Sequence, residues 1–370
     1  MSRWKLFLLL GLTAHPGFAA TIRVPFDELS IQDGIDSAAD GDTVLVSSGT
    51  YTGQGNHDID FHGKGLTLRS ELGPAVTTID CNLQGRGFQF ITGETEKAVL
   101  EGFEIRDGTT FGPTFGGALV CEAASPRVIN CVFVNNQAQD GRGGAVFCSE
   151  SSTSFMQCTF EENGALYNGG AMFLMASTPT IENCTFAGNS GPHGGGAIAL
   201  HTSIVNMSNC VFRANGALLG AGIFLGGSSL SATGCSFAGN QNGLFLTGGS
   251  TVTLSKSIIA FSFQGPAVVS AIGSTATLDC CDVFSNEGGD WTEGLQGQDG
   301  LRGNFSADPL FCDIDQGNLM LAGNSPCLDG NHPQGTPCGL IGTLPQGCPP
   351  LSVESISWGA IKARWVPRRP

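Results

Sequence analysis

The sequence predicts an all-β fold, a solenoid of short parallel strands, on three observations. Glycine is abundant, with 55 residues in 370, whereas only 13% of residues are charged. One motif recurs at intervals of 27, 26, 26 and 25 residues through the middle of the chain. No repeat contains a run of helical periodicity, and apolar stretches separated by Gly and Asn indicate strands and turns. A unit of this size cannot bury its apolar face alone, so we expect each unit to stack on the next.

The motif has three landmarks at constant offsets, the first being a Cys-x-Phe segment. It starts at Cys131, Cys158, Cys184, Cys210 and Cys235. Five residues later stands an asparagine: Asn136, Asn163, Asn189, Asn215 and Asn240. Thirteen residues before each Cys, after paired small residues, stands another small residue: Ala118, Ala145, Ala171, Ala197 and Gly222. Stacking in register predicts columns of Phe on Phe and a ladder of Asn, a residue that also tolerates the left-handed backbone of a sharp corner.

Within a unit, Cys and Phe are two residues apart and therefore face the same, inward side of a strand. An apolar residue three positions before each Cys breaks the alternation, which predicts a bend or a bulge. Fainter copies extend the array in both directions. Residues 100–107 place Phe103 and Ile105 in the Cys and Phe columns, and residues 254–259 and 278–286 resemble degenerate coils.

Both ends of a solenoid need caps, because an open end exposes strand edges. Ile31, Ile35 and Ala38 or Ala39 recur at helical spacing after Ser30, a good N-cap, which predicts a short amphipathic capping helix. The C-terminal region holds four cysteines outside the coil period, amid Gly and Pro, which predicts a loop-rich cap with one or two disulfides. These four are Cys312, Cys327, Cys338 and Cys348.

The expected organisation has five parts. They are a signal peptide (1–19), an N-terminal cap with the first strands (20–55), parallel coils (56–290), a Cys-containing C-terminal cap (291–350) and a basic tail (351–370). The signal peptide is predicted from Arg3 and Lys5, a short apolar stretch and small residues before the cleavage point at Ala19. After cleavage no apolar run is long enough to span a bilayer. We therefore expect a secreted or cell-surface protein with no transmembrane segment.

The formal net charge is −15, which argues against nucleic acid as a partner because phosphates repel such a surface. The tail departs from this balance: it contains two Trp and four basic residues, with no acid after Glu354. It is either a flexible end or a segment for sorting or anchoring.

These motifs resemble those of the right-handed parallel β-helix superfamily, whose fold is called pectin-lyase-like. The opening Ala38-Ala39-Asp40-Gly41-Asp42-Thr43-Val44 followed by Gly49-Thr50-Tyr51 is similar to the start of many such bacterial helices. The Gly-Gly-Ala and Phe-x-x-Asn landmarks also resemble the repeats of chlamydial polymorphic outer-membrane proteins. The resemblance implies a single-stranded right-handed parallel β-helix. It leaves function open, since this architecture serves lyases, hydrolases, epimerases, tailspikes and adhesins.

The Cys column permits two interpretations. Equivalent Cα atoms in adjacent coils lie close enough for disulfides, yet thiols in a dry core also behave as small apolar groups. We expect mostly free, buried thiols. Cys121 and Cys148, each three residues after the small landmark, form a second column and are the pair within the coils that we expect to be bonded.

A candidate ligand site lies in the loops that precede the paired glycines, because these loops vary while the columns stay constant. Aligned on Gly-Gly, three consecutive loops carry Asp140 and Arg142, then Tyr167 and Asn168, then His193. Consecutive coils would bring these side chains into one ridge. The ridge is either a row of solvated loop tips or a shallow strip that binds a glycan.

Three acidic groups are weaker candidates, each better explained as a solvated surface. Asp58, Asp60 and His62 alternate and are expected on the outer face of one strand, with His57 nearby, where a metal would need further ligands from a neighbouring coil. Residues 313–318 resemble half of a Ca²⁺ loop but lack the bidentate acid at position twelve, so Ca²⁺ is a weak expectation and no cofactor is assigned. Asp279, Asp282 and Asp290 are expected on the surface of a degenerate coil.

The sequence thus favours an exported, non-catalytic β-helix acting as a surface or secreted binding module, with polysaccharide or a cell-surface glycan as the candidate partner. The alternative is a carbohydrate-active enzyme, a polysaccharide lyase or glycoside hydrolase, on the same fold. No catalytic residue is assigned, since hydrolysis requires paired carboxylates that the repeats do not offer.

Overall fold

Three long parallel sheets, A, B and C, are built from successive coils, each of which adds one strand to each sheet along most of the array. The structure is a computed structural model and describes residues 19–110 and 115–351. The predicted signal peptide before Ala19 and the tail beyond Leu351 lie outside the described residues. The all-β parallel solenoid is confirmed, and the described residues contain a single α-helix.

Sheet A has eleven strands. They are Thr21–Val24, Thr43–Val46, Thr67–Ser70, Val99–Glu101, Arg127–Ile129, Ser154–Met156, Thr180–Glu182, Ile204–Ser208, Ser229–Thr233, Thr251–Ser255 and Thr275–Asp279. Sheet B has ten strands. They are Gly49–Tyr51, Thr77–Asp80, Glu104–Arg106, Val132–Val134, Thr159–Glu161, Thr185–Ala187, Val211–Arg213, Ser236–Ala238, Ile258–Ala260 and Asp282–Phe284.

Sheet C has nine strands. They are Ile59–Asp60, Phe88–Phe90, Leu119–Glu122, Val146–Ser149, Met172–Met175, Ile198–His201, Ile223–Gly226, Leu244–Thr247 and Val268–Ser270. A short parallel sheet D, between sheets B and C, consists of Thr109–Thr110, Gln137–Ala138 and Gly164–Ala165. Sheet E, in the C-terminal region, consists of Phe311–Asp313, Asn318–Ala322 and Gln346–Cys348.

The predicted phenylalanine column fills the core beneath sheet B. Rings from adjacent coils stack with centroids 4.5 to 4.9 Å apart and planes within 9° of parallel. The column comprises Phe133, Phe160, Phe186, Phe212 and Phe237, all buried. The earlier coil is confirmed as well, because Ile105 pairs in register with Phe133. Each ring packs against the equivalent rings of the adjacent coils. The core is therefore a continuous column along the solenoid.

The asparagine ladder is also confirmed. Asn163 Oδ1 accepts hydrogen bonds from both the backbone N and the Nδ2 of Asn136, each at 3.0 Å. Asn163 Nδ2 in turn donates to the carbonyl of Phe133 at 3.0 Å. The left-handed backbone, however, belongs to the residue before each ladder position, for example Asn135 and Glu162, each at φ 54°. The role of the ladder Asn is therefore to bond the adjacent coils through its buried side-chain amide, and the residue before it turns the chain.

The expected bulge before each Cys is instead a corner between two sheets. The residue preceding the Cys has a positive φ in successive coils, as at Asn130 (49°), Gln157 (55°) and Asn183 (54°). The apolar residue three positions before the Cys therefore lies in a strand of sheet A, while the Phe lies in sheet B. One left-handed residue turns the chain without inserting an unpaired residue into either ladder, which explains the broken alternation.

A second polar ladder, not predicted from the sequence, lies at the corner between sheets C and A. In each coil the backbone N of a buried serine donates to the Oγ of the serine one coil further on, at 3.0 to 3.1 Å. The ladder comprises Ser151, Ser177, Ser203, Ser228, Ser250 and Ser274. The corner after sheet B, with its asparagines, and the corner between sheets C and A, with its serines, are thus both fixed by side chains that bond to the neighbouring coil.

The predicted capping helix is α1 (Ile31–Ser37), with Ile31 and Ile35 buried against the first coils. Ser30 is its N-cap, accepting from the backbone N of Asp33 at 3.1 Å. At the other end, Lys64 Nζ donates to three carbonyls of the helix C-terminus, those of Ile35, Asp36 and Ala38, at 2.8 to 2.9 Å. The helix is thereby held to the coil beneath it.

The C-terminal cap folds back along the outer face of sheet B. Apolar residues of both parts form a separate cluster that includes Val211, Ile258, Phe311 and Leu321. The cap also contains the short 3₁₀ helix Ile314–Gln316, and another, Glu293–Leu295, precedes the cap strands. The cap side chain Thr343 Oγ1 donates to the carbonyl of Cys210 at 2.8 Å, so the contact extends several coils back.

Two disulfides are present. Cys312–Cys348 lies within the cap, as predicted, whereas Cys280–Cys338 joins the cap to the last coil, a pairing that was not predicted. Ten cysteines among the described residues are free and buried, as expected. The predicted bond between Cys121 and Cys148 is wrong. The two residues pair in register on adjacent strands, but both keep their thiols in the dry core. No helix among the described residues has the length and apolar character needed to cross a membrane.

Candidate functional site

The three loops of the predicted ridge lie on consecutive coils, between sheet D and sheet C. Their backbones continue the coil stacking: Tyr167 N donates to the carbonyl of Gly141 at 3.2 Å, and His193 N donates to the carbonyl of Tyr167 at 3.0 Å. Asn168 forms a parallel bridge with Gly194. The loops therefore hold their side chains in a row, in the order in which the sequence aligned them.

Two side chains of the ridge contact each other, and a third lies over a ring of sheet C. The rings of Tyr167 and His193 meet edge to face with centroids 5.4 Å apart, and both side chains are exposed. The guanidinium of Arg142 lies over the ring of Phe173, 5.1 Å from its centroid, an arrangement that favours the cation through the electron-rich ring face. Asp140 is exposed two residues earlier. All five predicted residues are thus in one ridge.

The paired glycines position this ridge against sheet C. Gly143, Gly169 and Gly195 have φ of 69°, 71° and 67°, a conformation that side chains rarely adopt. A Cβ on each would also collide with the carbonyl oxygen three residues ahead. The chain can therefore turn from the loop into the strand only with glycine at this point, and the loop tip stays close to the sheet.

An outward-facing aromatic column lies beside the ridge and was not predicted. On sheet C, Phe147 and Phe173 face away from the core, 6.0 Å apart, and Phe115 packs on Phe147 at 4.7 Å. Two further outward rings, Phe224 and Phe245, stack at 5.7 Å and are only half-buried. The signal was present in the sequence, because these residues alternate with inward Val, Cys and Leu, but the buried Phe column obscured it.

The ridge and the outer rings together form an aromatic surface with polar groups along one edge, which we call the ridge site. Tyr167 and His193 are its exposed rings on the loops, and Phe224 is its half-buried ring on the sheet. Phe224 also packs closely under Gly194, where a Cβ would lie 2.9 Å from Cδ2 of the ring. The loop of His193 and the ring of Phe224 therefore form one continuous surface.

The cluster around His62 differs from its prediction. The strand there is only Ile59–Asp60, and Asp58 and His62 occupy left-handed turns at φ 51° and 54°, so these side chains do not share a strand face. His62 lies between two acids, with Nε2 3.4 Å from Asp36 and Nδ1 3.4 Å from Asp60. These contacts link the capping helix to the coil below it.

The remaining acidic candidates have local structural partners. Asp313 Oδ1 accepts from the backbone N of Gln316 and so caps a 3₁₀ turn. Asp290 accepts from the backbone N of Ser285 and of Asn286. Among the described residues, no group of three or more His, Cys, Asp and Glu side chains could hold a metal ion.

The prediction of a surface position for Asp282 is wrong. The C-terminal cap buries this side chain completely, and its carboxylate accepts from Ala307 N at 3.1 Å and from Cys327 Sγ at 3.3 Å. Burial is the main cause that raises the pKa of Asp282 well above its ordinary value. Burial also raises the pKa of the Cys327 thiol, which therefore stays protonated and able to donate.

Comparison with known proteins agrees with this architecture. The family model described as "Right handed beta helix region" matches residues 128–259 and 180–305. No curated protein sequence matches the chain significantly. Among solved structures, the A-module of mannuronan C-5 epimerase AlgE4 from Azotobacter vinelandii has 16% identity and a TM-score of 0.34, over 76% of this chain and 89% of that one. Pectin methylesterase from carrot has 11% identity and a TM-score of 0.36, over 87% and 95%.

The chain is thus a parallel β-solenoid protein whose coils repeat one strand–corner–strand unit. More particularly, its coils are those of a right-handed parallel β-helix, the architecture that the matching family model describes. The similarity to the epimerase and the methylesterase, at these identities and TM-scores, carries no information about activity or ligand.

Proposed function

We propose that this protein is an exported, non-catalytic β-helix that binds a polysaccharide along the ridge site. The observation that carries the proposal is the row formed by Tyr167 and His193, exposed rings in contact on successive coils, with Arg142 in the preceding loop. A linear polymer matches a row, because each coil can contact a successive part of the chain.

The chemistry of the row suits a sugar. Aromatic rings provide apolar faces at low cost in side-chain entropy, and sugars present both apolar C–H faces and hydroxyls. Arg142, Asn168 and Asp140 add donors and acceptors for those hydroxyls. The half-buried rings of Phe224 and Phe245 extend the apolar surface over sheet C. Sites of this composition use rings for contact area and a few polar groups for orientation.

The ridge favours binding over hydrolysis. Glycoside hydrolysis uses a pair of carboxyl groups about 5–10 Å apart across the scissile bond. The loop residues 139–142, 166–168 and 191–194 contain one acid, Asp140. A binding module needs no such pair, and this is why we prefer it to the carbohydrate-active enzyme.

Export is supported by the two disulfides. Structural disulfides persist in oxidising compartments and are rare in the cytosol of most organisms. Cys280–Cys338 and Cys312–Cys348 both fix the C-terminal cap, which has its own small core and contributes little regular structure.

Binding is tested by affinity electrophoresis of the oxidised protein in gels containing neutral or acidic polysaccharides. We expect retardation by at least one of them, and Tyr167→Ala should weaken binding about tenfold or more, as expected for an aromatic anchor. The matched control is Phe26→Ala, which removes a ring near the N-terminus that is more exposed than Tyr167, at 78% against 41%. Equal loss in both variants, or no retardation by any polysaccharide, would contradict the proposal.

Catalysis is tested in parallel by following reducing ends and unsaturated products on the same polysaccharides. We expect no turnover. Turnover that disappears when a single acidic residue is replaced would favour the enzyme and overturn the non-catalytic assignment.

A further inference from the structure

A second surface, on the outer face of sheet A, is made almost entirely of hydroxyl side chains. Three consecutive coils present three outward positions each, and eight of these nine carry Ser or Thr. The eight, which we call the hydroxyl grid, are Ser229, Ser231, Thr233, Thr251, Thr253, Ser255, Thr275 and Thr277. The ninth position, at one corner, is Asp279. All eight are exposed or half-exposed.

The grid is regular in two directions. Strands Ser229–Thr233, Thr251–Ser255 and Thr275–Asp279 pair residue for residue without a register shift. Neighbouring strands lie about 4.8 Å apart, and alternate residues along a strand lie about 6.7 Å apart. Nearer the N-terminus the pattern is only partial. Two coils carry Ser152, Ser154, Thr178 and Thr180 in the first two columns but Met156 and Glu182 in the third, and the coil between them and the grid carries Ile204 and Asn206.

The grid is also held rigidly. Between the hydroxyls, Leu230, Val252 and Ala276 point inward and are buried, so the strands cannot rotate. Along one edge the serine ladder joins the same coils, with Ser228 N donating to Ser250 Oγ at 3.0 Å. Thr is branched at Cβ and has few χ1 states, so its hydroxyl and methyl groups are ordered before any partner arrives.

A regular, ordered surface whose nine positions include one charged side chain, Asp279 at a corner, selects a partner that is itself periodic and uncharged. An ionic mineral would require charged side chains, and a single soluble molecule would require a concave pocket. A crystalline polysaccharide would favour rings, which the grid lacks. Crystalline water has the required spacing: tetrahedral water with O···O distances of about 2.75 Å repeats its oxygens at about 4.5 Å and, along the stacking axis, at about 7.3 Å. Both repeats are within about a tenth of those of the grid.

We propose that the hydroxyl grid binds the surface of ice. Each Thr or Ser, with the waters it holds, occupies a position that continues the lattice, and the methyl groups of Thr fill the spaces between them. This surface is distinct from the ridge site, which lies on the loops before sheet C, so each proposal can fail without the other.

The test measures thermal hysteresis and inhibition of ice recrystallisation with the oxidised, full-length protein. We expect both activities in the unmodified protein and their loss in Thr253→Lys, which places a long charged side chain at the centre of the grid. The control Thr185→Lys makes the same change on the outer face of sheet B and should keep both activities. Thermal unfolding followed by circular dichroism checks that each variant is folded.

Three results would overturn the proposal. One is the absence of hysteresis and of recrystallisation inhibition in the unmodified, folded protein. Another is equal loss in Thr185→Lys and Thr253→Lys. The third is adsorption of fluorescently labelled protein to microcrystalline cellulose or chitin through the grid, abolished by Thr253→Lys, without incorporation into growing ice.

Discussion

The central coils and the C-terminal cap both bury short strands, but they do so through different kinds of contact. In the coils, a residue's main partner is its own equivalent: Phe186 stacks on Phe160 and Phe212. In the cap, partners do not occupy equivalent positions of a repeat and are distant in sequence, such as Cys338 with Cys280, 58 residues away, and Thr343 N with Ser236 Oγ, 107 residues away. A contact that repeats leaves a period in the sequence, whereas a contact made once leaves none.

The difference has a thermodynamic consequence. Stability in a stacked array is close to a sum of unit and nearest-neighbour contributions, so damage stays local and is shared by two neighbouring coils. The cap instead depends on a few specific contacts with sheet B, and losing one should release the whole cap while the coils stay folded. The following changes test this contrast, in order of decreasing effect.

Replacing a ring of the core column should have the largest effect. Phe186→Ala removes a buried ring that contacts both neighbouring coils, and we expect a loss of about 3–5 kcal/mol of unfolding free energy. Hydrogen exchange should accelerate in the strands of sheet B on either side of Phe186 and remain slow in the cap.

The matched control is Phe224→Ala, an outward, half-buried ring on sheet C, which should cost clearly less in denaturant unfolding. Loss of protection in the cap together with the coils would show that the two regions unfold as one unit and would contradict the contrast.

Removing the disulfide between coil and cap comes next. The double substitution Cys280→Ser and Cys338→Ser should lower the stability of the cap by about 2–4 kcal/mol. Limited proteolysis should then cut within residues 304–350 while the coils resist. The control double variant Cys312→Ser and Cys348→Ser opens a bond within the cap and leaves the tether in place. Faster digestion of the coils in the first variant would count against an independent cap.

The fold could be predicted from the sequence because its determinants repeat. Phe186 and Asn189 have equivalents at the same offsets in four other coils. Aligning the repeats with one another therefore predicts both columns. The cap could not be predicted in the same way: nothing in the sequence near Asp282 indicates that residues 307 and 327 cover it. The expected bond between Cys121 and Cys148 was wrong for another reason. Adjacent coils bring the two thiols close enough for a disulfide, but this proximity does not require that the bond forms.

The ridge site was predicted in part. The alignment on paired glycines placed Tyr167 and His193 in adjacent coils, and their ring contact follows from that register. It did not reveal that Arg142 lies over Phe173, because side-chain direction at a loop tip depends on the local turn. The outward rings were missed because the buried Phe column drew attention away from the alternation of Phe147 and its equivalents with inward apolar residues.

Breaking one rung of the asparagine ladder should have a moderate, local effect. In Asn189→Ala, the backbone N and Nδ2 of Asn163 lose their acceptor, and the carbonyl of Phe160 loses its donor. Buried groups left unpaired cost about 1–3 kcal/mol, and we expect a loss in this range in urea unfolding. Asn206→Ala, on the exposed face of sheet A, is the control and should be close to neutral. A neutral Asn189→Ala would mean that water enters the corner and replaces the amide.

The smallest effect concerns the buried carboxyl beneath the cap and depends on pH. Because burial raises the pKa of Asp282, the folded protein binds this proton more tightly than the unfolded chain does. The contribution to stability is therefore complete below the unfolded value of about 3.9 and is lost as the pH rises toward the folded value. Asp308, whose pKa burial also raises, and Asp290 lie close enough to add repulsion once Asp282 ionises.

Asp282→Asn keeps an acceptor for Ala307 N and removes the buried charge. The variant should resist cap proteolysis better than the unmodified protein at pH 7, and the two should converge near pH 4, below which Asp282 is protonated in both folded and unfolded chains. Asp279→Asn, three residues earlier and exposed, is the control and should show no such pH-dependent gain. If Asp282→Asn instead weakened the cap at pH 7, the ionised carboxylate would be holding the cap in place, and the cap contact would be electrostatic where we infer apolar burial.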